Sequence, residues 1–163
     1  MAFHDQLKNK VVTKENAQRI VNGQRLKGKK IVFTNGCFDI LHPGHVDYLT
    51  QARDLGNFLV LGLNTDNSVK RLNKAPSRPI NNETARACVL AALACVDLIV
   101  LFDEETPLEL IAFLSPDVLV KGNDWKVENI VGFDIVNANG GKVLTIPLLE
   151  GFSTTKLIEK ISS

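Results

Sequence analysis

Two of the three histidines in this 163-residue chain sit three apart, as His42 and His45, with only Pro43 and Gly44 between them. Ring N–H groups at that spacing can aim at phosphoryl oxygens, and the flanking sequence supplies a place for such an anion. The apolar run Ile31-Val32-Phe33 reads as a strand, TNGCFDIL as a glycine-containing loop and VDYLTQARDLG as a helix. A helix N-terminus presents unpaired backbone N–H groups to an anion. Gly44 lets a ligand approach the backbone closely, and Pro43 suits a first helical position.

The same residues bear on two other chemistries. A His-x-x-His pair can hold zinc, but Cys37 and Asp39 are the sole further ligand types nearby, short of a usual four-ligand set. Cys37 could be a nucleophile, yet no Cys-His-acid relay is visible around it. Phosphate binding is the reading that uses the strand, the loop and the helix together.

Those elements belong to a longer alternation. Five short apolar runs, Ile31 to Phe33, Phe58 to Leu63, Leu98 to Phe102, Val118 to Val120 and Val143 to Ile146, lack polar alternation, as strands covered on both faces do. Helical patterns fall between and after them at Val46 to Leu55, Glu83 to Ala94, Pro107 to Leu114, Ile130 to Ala138 and Thr154 to Ile161, and another precedes them at Thr13 to Lys27. The order predicts an α/β fold of the Rossmann-like, doubly wound kind, with a mainly five-stranded parallel sheet. Residues 1–28 read as an N-terminal helical extension and 29–163 as the main domain. Ligands of such sheets bind beyond the carboxyl ends of the strands, near the switch in strand order.

That rule selects further residues. Lys121 follows a strand directly, where a cation suits a phosphate, and Trp125 nearby reads equally as a pocket cover or a core side chain. Ser153, Thr154 and Thr155 open the last helix, where hydroxyls and free N–H groups cap the helix and can also hold phosphate. The basic stretch Lys70 to Asn81 reads as a solvated loop or as a flap that brings Lys70, Arg71, Lys74 or Arg78 to a phosphorylated substrate. Arg86, on the helix after it, is another candidate cation.

Composition narrows the classes. With 19 basic and 18 acidic residues the net charge is +1, so no global field recruits nucleic acid or an anionic membrane, and anion binding has to be local. The longest apolar stretch, Cys88 to Phe102, is interrupted by Asp97 and falls short of the ~18 residues of a spanning helix. Three cysteines without a CxxC pair, and no signal peptide at MAFHDQLKNK, fit a reducing cytoplasm. Cys88 and Cys95 read as small core residues on one helical face.

Taken as a set, these motifs resemble a known family. TNGCFDILHPGH resembles the signature of the HxGH nucleotidyltransferases, and FSTT before the final helix resembles their ISTT-type element. SRPIN, VLAALACVD, TPLELI, VLVKGNDW, ENIVGFDIV and EGFSTTKLI are most similar to the adenylyltransferase domain of ADP-heptose synthases, over about Lys29 to Ile161. Two positions depart from the wider pattern. Leu148 stands where cytidylyltransferases of the fold carry the arginine of RTEGIST, and Ala85 stands where an Asp usually precedes the family arginine, here Arg86.

The resemblance implies transfer of an adenylyl group from ATP to D-glycero-D-manno-heptose 1-phosphate, in its β form, giving ADP-heptose and pyrophosphate for cell-envelope lipopolysaccharide. It implies Mg²⁺ carried on the phosphates, with no metal ligands from the protein. His42, His45 and Lys121 would be catalytic. Thr34, Asn35, Gly36, Cys37, Phe38, Gly44, Gly122, Ser153, Thr154 and Thr155 would bind the nucleotide. Asp39, Asp66, Arg71, Arg78, Arg86, Asp124 and Trp125 would serve the sugar phosphate. Bifunctional relatives carry a sugar kinase ahead of this domain, and 163 residues leave no room for one, so a separate kinase is expected, as is a homodimer. The rival readings are a cytidylyltransferase of a small phosphoalcohol such as glycerol 3-phosphate, and a non-catalytic nucleotide-binding domain.

Overall fold

A computed structural model describes residues 2–72, 78–124 and 126–162; Lys74 and Trp125, singled out above, lie outside the described residues. The chain opens with α1 (Phe3–Lys8), β1 (Val11–Val12) and α2 (Lys14–Leu26). The central part comprises β2 (Ile31–Gly36), α3 (Pro43–Asp54), β3 (Phe58–Asn64), α4 (Asp66–Arg71), α5 (Glu83–Ala91) and β4 (Leu98–Phe102). It closes with α6 (Leu108–Leu114), β5 (Val118–Gly122), a 3₁₀ turn (Val127–Asn129), α7 (Phe133–Ala138), β6 (Lys142–Ile146) and α8 (Thr154–Ser162).

All strand pairings are parallel, in the order β1-β4-β3-β2-β5-β6. The doubly wound α/β expectation is met, with six strands rather than five. The extra strand, Val11–Val12, is two residues long and too short for a periodic signal, yet it pairs with Ile99 and Val100. The N-terminal segment thus joins the sheet, and Ala17 and Val21 of α2 are fully buried in the core.

Alternation along the strands divides the core into two layers. Val32, Leu59 and Leu61 pack with Leu49 of α3 and Leu90 of α5 on one face of the sheet, while Ile31, Phe33 and Val60 pack with Val21 of α2 and Ile111 of α6 on the other. This double coverage explains why the strands read as continuous apolar runs. From β2 the chain adds β3 and β4 on one side, then returns to add β5 and β6 on the other, so the order reverses between β2 and β5.

Several local readings are corrected. Strand β2 runs on to Gly36, so Thr34, Asn35 and Gly36 are strand rather than loop. Lys70 and Arg71 end helix α4 instead of opening a loop. Helix α5 stops at Ala91, so Cys95 lies beyond it, partly buried, while Cys88 is exposed; the two do not share a buried helical face. No described helix is long and apolar enough to cross a membrane.

Candidate active site

At the reversal between β2 and β5 the carboxyl ends of the strands open into a cavity of about 370 Å³. Strand β2 and the turn after it supply Asn35, Gly36, Cys37, Phe38 and Asp39; helix α3 supplies Gly44, His45 and Tyr48, with His42 as its N-cap. Strand β5 supplies Lys121 and Gly122, followed by Asp124, and Ser153, Thr154 and Thr155 line the cavity at the start of α8. Arg78 enters from the segment before α5. All of these except Tyr48, fifteen residues, are ones expected from sequence, brought from five regions of the chain.

The two imidazoles both line the cavity. Their rings stack with centroids 3.8 Å apart and 22° between planes, and Phe38 approaches His45 at 5.2 Å. Burial is the main cause that pushes the His45 ring down to about 4; the nearby His42 and Arg78 charges add to it, and a hydrogen bond to the Ile40 backbone opposes it. Burial also lowers His42. Both rings are therefore neutral near pH 7, each with one N–H donor and one acceptor nitrogen.

Among the described residues, the buried side-chain polar atoms without a hydrogen-bond partner are Asn35 Oδ1, His42 Nδ1 and His45 Nδ1. All three belong to the cavity lining. Buried polar groups in folded proteins are nearly always satisfied, so three orphans around one cavity point to a polar ligand.

Missing side chains keep the cradle open. A Cβ on Gly36 would lie 2.8 Å from the Phe38 ring, one on Gly122 would lie 2.8 Å from Asp124 Oδ1, and one on Gly44 would meet the His42 ring at 3.1 Å and Phe152 Cβ at 3.2 Å. Phe38 itself has φ +44°, a left-handed conformation uncommon for an aromatic residue. At the far wall Ser153 Oγ accepts from the Lys156 backbone N–H at 3.1 Å, which caps α8 and orients its first turn.

Of the other expected residues, Thr34, Asp66, Arg71 and Arg86 do not line the cavity, and Trp125 lies outside the described residues. Thr34 is fully buried, and its hydroxyl is bonded to Tyr48 Oη at 2.7 Å and to the Val120 carbonyl at 3.0 Å. The Arg86 side chain is completely buried and donates to the Cys37 carbonyl at 2.7 Å, the Asn81 carbonyl at 3.0 Å and Asp66 Oδ1 at 2.7 Å. It ties together the turn after β2, the start of α4 and the approach to α5. Arg71 is bound to Asp103 at the surface, through its carbonyl and its carboxylate. Asp39 borders the cavity, but its carboxylate accepts from Arg78 Nε at 3.3 Å and from the Ile80 and Asn81 backbone N–H groups at 2.9 Å. It anchors the segment that delivers Arg78.

Residues 33–160 match the cytidylyltransferase-like family over most of the chain. The chain belongs to that family. As a member of this HxGH nucleotidyltransferase group it is a nucleotidyltransferase. The bifunctional protein HldE of Syntrophotalea carbinolica is 53% identical over 162 residues, spanning 99% of this chain and 33% of that protein. HldE of Caulobacter vibrioides is 56% identical over 154 residues, spanning 94% of this chain and 32% of that protein. The chain thus spans about a third of the length of these curated relatives. Among solved structures, a lipopolysaccharide core biosynthesis protein from Thermoplasma volcanium superposes with TM-score 0.65 at 30% identity, covering 76% of this chain and all of that one. A pantoate-beta-alanine ligase from Francisella tularensis shares the fold, with TM-score 0.62 at 14% identity, covering 93% of this chain and 76% of that one.

Four cavity residues of this cytidylyltransferase-like chain were not among the expected site residues: Tyr48, Leu149, Phe152 and Leu148, the last noted from sequence only as a departure from the RTEGIST arginine. Tyr48 looks like any apolar helix position, and its signal, one turn after His45, is weak. Leu148 and Leu149 leave an apolar wall where a cation is common in the cytidylyltransferase pattern, so Arg78 and Lys121 are the lysine and arginine side chains of the lining among the described residues.

Proposed function

We propose that this chain joins ATP and D-glycero-D-manno-heptose 1-phosphate, in the β form, to give ADP-heptose and pyrophosphate. The observation that carries the reading is the set of orphaned polar atoms on Asn35, His42 and His45, facing a cavity that Lys121 and the start of α8 also line. The similarity to HldE proteins supports the heptose part of the reading.

The sugar phosphate is already an ionised nucleophile, so the site needs no strong general base. One of its oxygens attacks the α-phosphorus of ATP, the bond from that phosphorus to the bridging oxygen breaks, and pyrophosphate leaves. The difficulty is to bring two anions together and to stabilise charge on the transferring group. His42 and His45 donate ring N–H groups to phosphate oxygens, Lys121 offsets charge at the α-phosphoryl group, and Ser153, Thr154 and Thr155 hold the outer phosphates at the start of α8. Arg78 and Asp124 face the acceptor side, with Asp39 holding Arg78 in place.

Mg²⁺ neutralises phosphate charge when it is bound with the nucleotide. The chain's donors fit that role only in part: the described residues contain no group of three His, Cys, Asp or Glu side chains able to hold a metal. The phosphates would supply most ligands, and Asp124 is the lining carboxylate outside the Asp39 network that would contribute.

The cytidylyltransferase-like family description favours CTP as the competing nucleotide. Incubation with Mg²⁺, each anomer of heptose 1-phosphate, and ATP or CTP separately tests both readings through pyrophosphate and sugar-nucleotide formation. ADP-heptose from the β form is expected. A CTP product would replace ATP in the reading, and ATP binding without turnover would make this a regulatory domain. The reading also expects a sugar kinase that supplies the heptose 1-phosphate, a cytoplasmic setting and a homodimer.

A further inference from the structure

The β2–β5 ladder pairs Val32 with Val118 and Phe33 with Leu119, and there it stops. The next pair in register would be Thr34 and Val120. Instead, the Val120 carbonyl lies within hydrogen-bond reach of two side chains, the Thr34 hydroxyl at 3.0 Å and the Tyr48 phenol at 3.2 Å, which are 2.7 Å from each other; with one hydrogen each, one hydroxyl donates to the carbonyl while the other donates to it or to its neighbour. One residue further along each strand lie Asn35 and Lys121, both in the cavity lining, and Lys121 Nζ donates to the Asn35 carbonyl at 3.4 Å.

The site therefore opens where ladder bonds end and a buried hydroxyl pair takes their place. Tyr48 sits on the helix that carries His45, one turn away, while Val120 is bonded in the chain to Lys121. Burial pushes the Tyr48 phenol up to about 12, so it stays a protonated donor through the neutral range. Fully satisfied buried hydroxyl networks of this kind rigidify the geometry around them.

We propose that Tyr48 and Thr34 act as a positioning pair that sets Lys121 against the histidine helix, so that the lysine meets the charge developing on the transferring phosphoryl group. Neither hydroxyl needs to touch the substrate. The proposal rests on the transfer reading for its kinetic assay, and on the fold alone for its structural one.

Tyr48→Phe keeps the ring and leaves the Val120 carbonyl bonded to Thr34, so the fold is expected to persist with a Tm lowered by about 2–4 °C. The kcat for pyrophosphate release should fall on the order of 10-fold, with KM for ATP within about twofold, since a small misplacement of a catalytic group costs rate more than binding. Thr34→Val should behave alike and Thr34→Ser should restore the rate. In a Lys121→Ala background, Tyr48→Phe should cost nothing further, an outcome that a merely structural role would not give. A kcat within twofold of the parent, or an undiminished effect without Lys121, would overturn the proposal. A crystal structure of Tyr48→Phe separates this from failure of the substrate reading. Movement of Lys121 Nζ away from the Asn35 carbonyl supports the pair whatever the acceptor, and an unmoved lysine removes it.

Discussion

The imidazole rings of His42 and His45 lie face to face, 3.8 Å between centroids, with a buried Nδ1 on each left without a partner. Two protonated rings at that distance would repel, and burial opposes charging either one. The stack is therefore a neutral pair, which under the proposed function receives a phosphate that brings its own charge.

This arrangement makes stability depend on acid. An unfolded histidine titrates near 6.5 and His45 in the fold near 4, so between these values the unfolded chain binds more protons. The contribution of His45 is intact above about pH 6.5 and is lost as pH falls toward 4. Thermal melts across this range should show a falling Tm, with a shallower fall for His45→Asn. Equal slopes would trace the acid lability to another group.

On the proposed transfer, removing either ring removes a donor to the charge that develops. His42→Ala and His45→Ala should each lower kcat on the order of 10²–10³-fold. Near-normal turnover in both would contradict the phosphate-grip role, and circular dichroism would establish that the variants are folded.

Gly44→Ala tests the cradle without touching a polar group. The added methyl would press on the His42 ring at 3.1 Å and on Phe152 Cβ at 3.2 Å, so the N-cap ring or the α8 approach has to shift. Turnover should drop by at least about tenfold because a small displacement of a catalytic donor is enough. Activity equal to the parent would show that the ring can yield without cost.

Arg78 reaches the cavity on a segment that Asp39 pins through a side chain and two backbone N–H groups. Arg78→Ala should raise the KM for the sugar phosphate more than that for ATP. Equal or absent changes would take Arg78 off the acceptor side.

Arg86, by contrast, is a structural cation. Its three bonds to Cys37, Asn81 and Asp66 are made from a fully buried guanidinium. Arg86→Ala leaves a carboxylate and two carbonyls short of a donor and should cost about 3–5 kcal/mol. Chemical denaturation measures it, and Arg86→Lys should recover little, because an ammonium donates from a single nitrogen and cannot span acceptors that the guanidinium meets with Nε, Nη1 and Nη2. A small loss would show that water replaces the guanidinium.

The sequence by itself determined the layered fold and most of the polar residues that converge on the cavity. Continuous apolar strands, helical intervals and the Pro-Gly between two histidines are local signals, and the rule for strand ends gathered Lys121 and Ser153 to Thr155 with them. What only the tertiary structure decided was which polar residues face the cavity and which face the protein. Asp66 and Arg86 look like site residues in the chain, yet they bond each other behind the wall, since a charge buried away from the cavity has to find its partner there. Thr34 and Tyr48 are fourteen positions apart and carry no joint pattern; they meet because the β2–β5 ladder ends beside α3 and leaves one carbonyl to satisfy. Such pairings depend on where strands part, which no local spacing encodes.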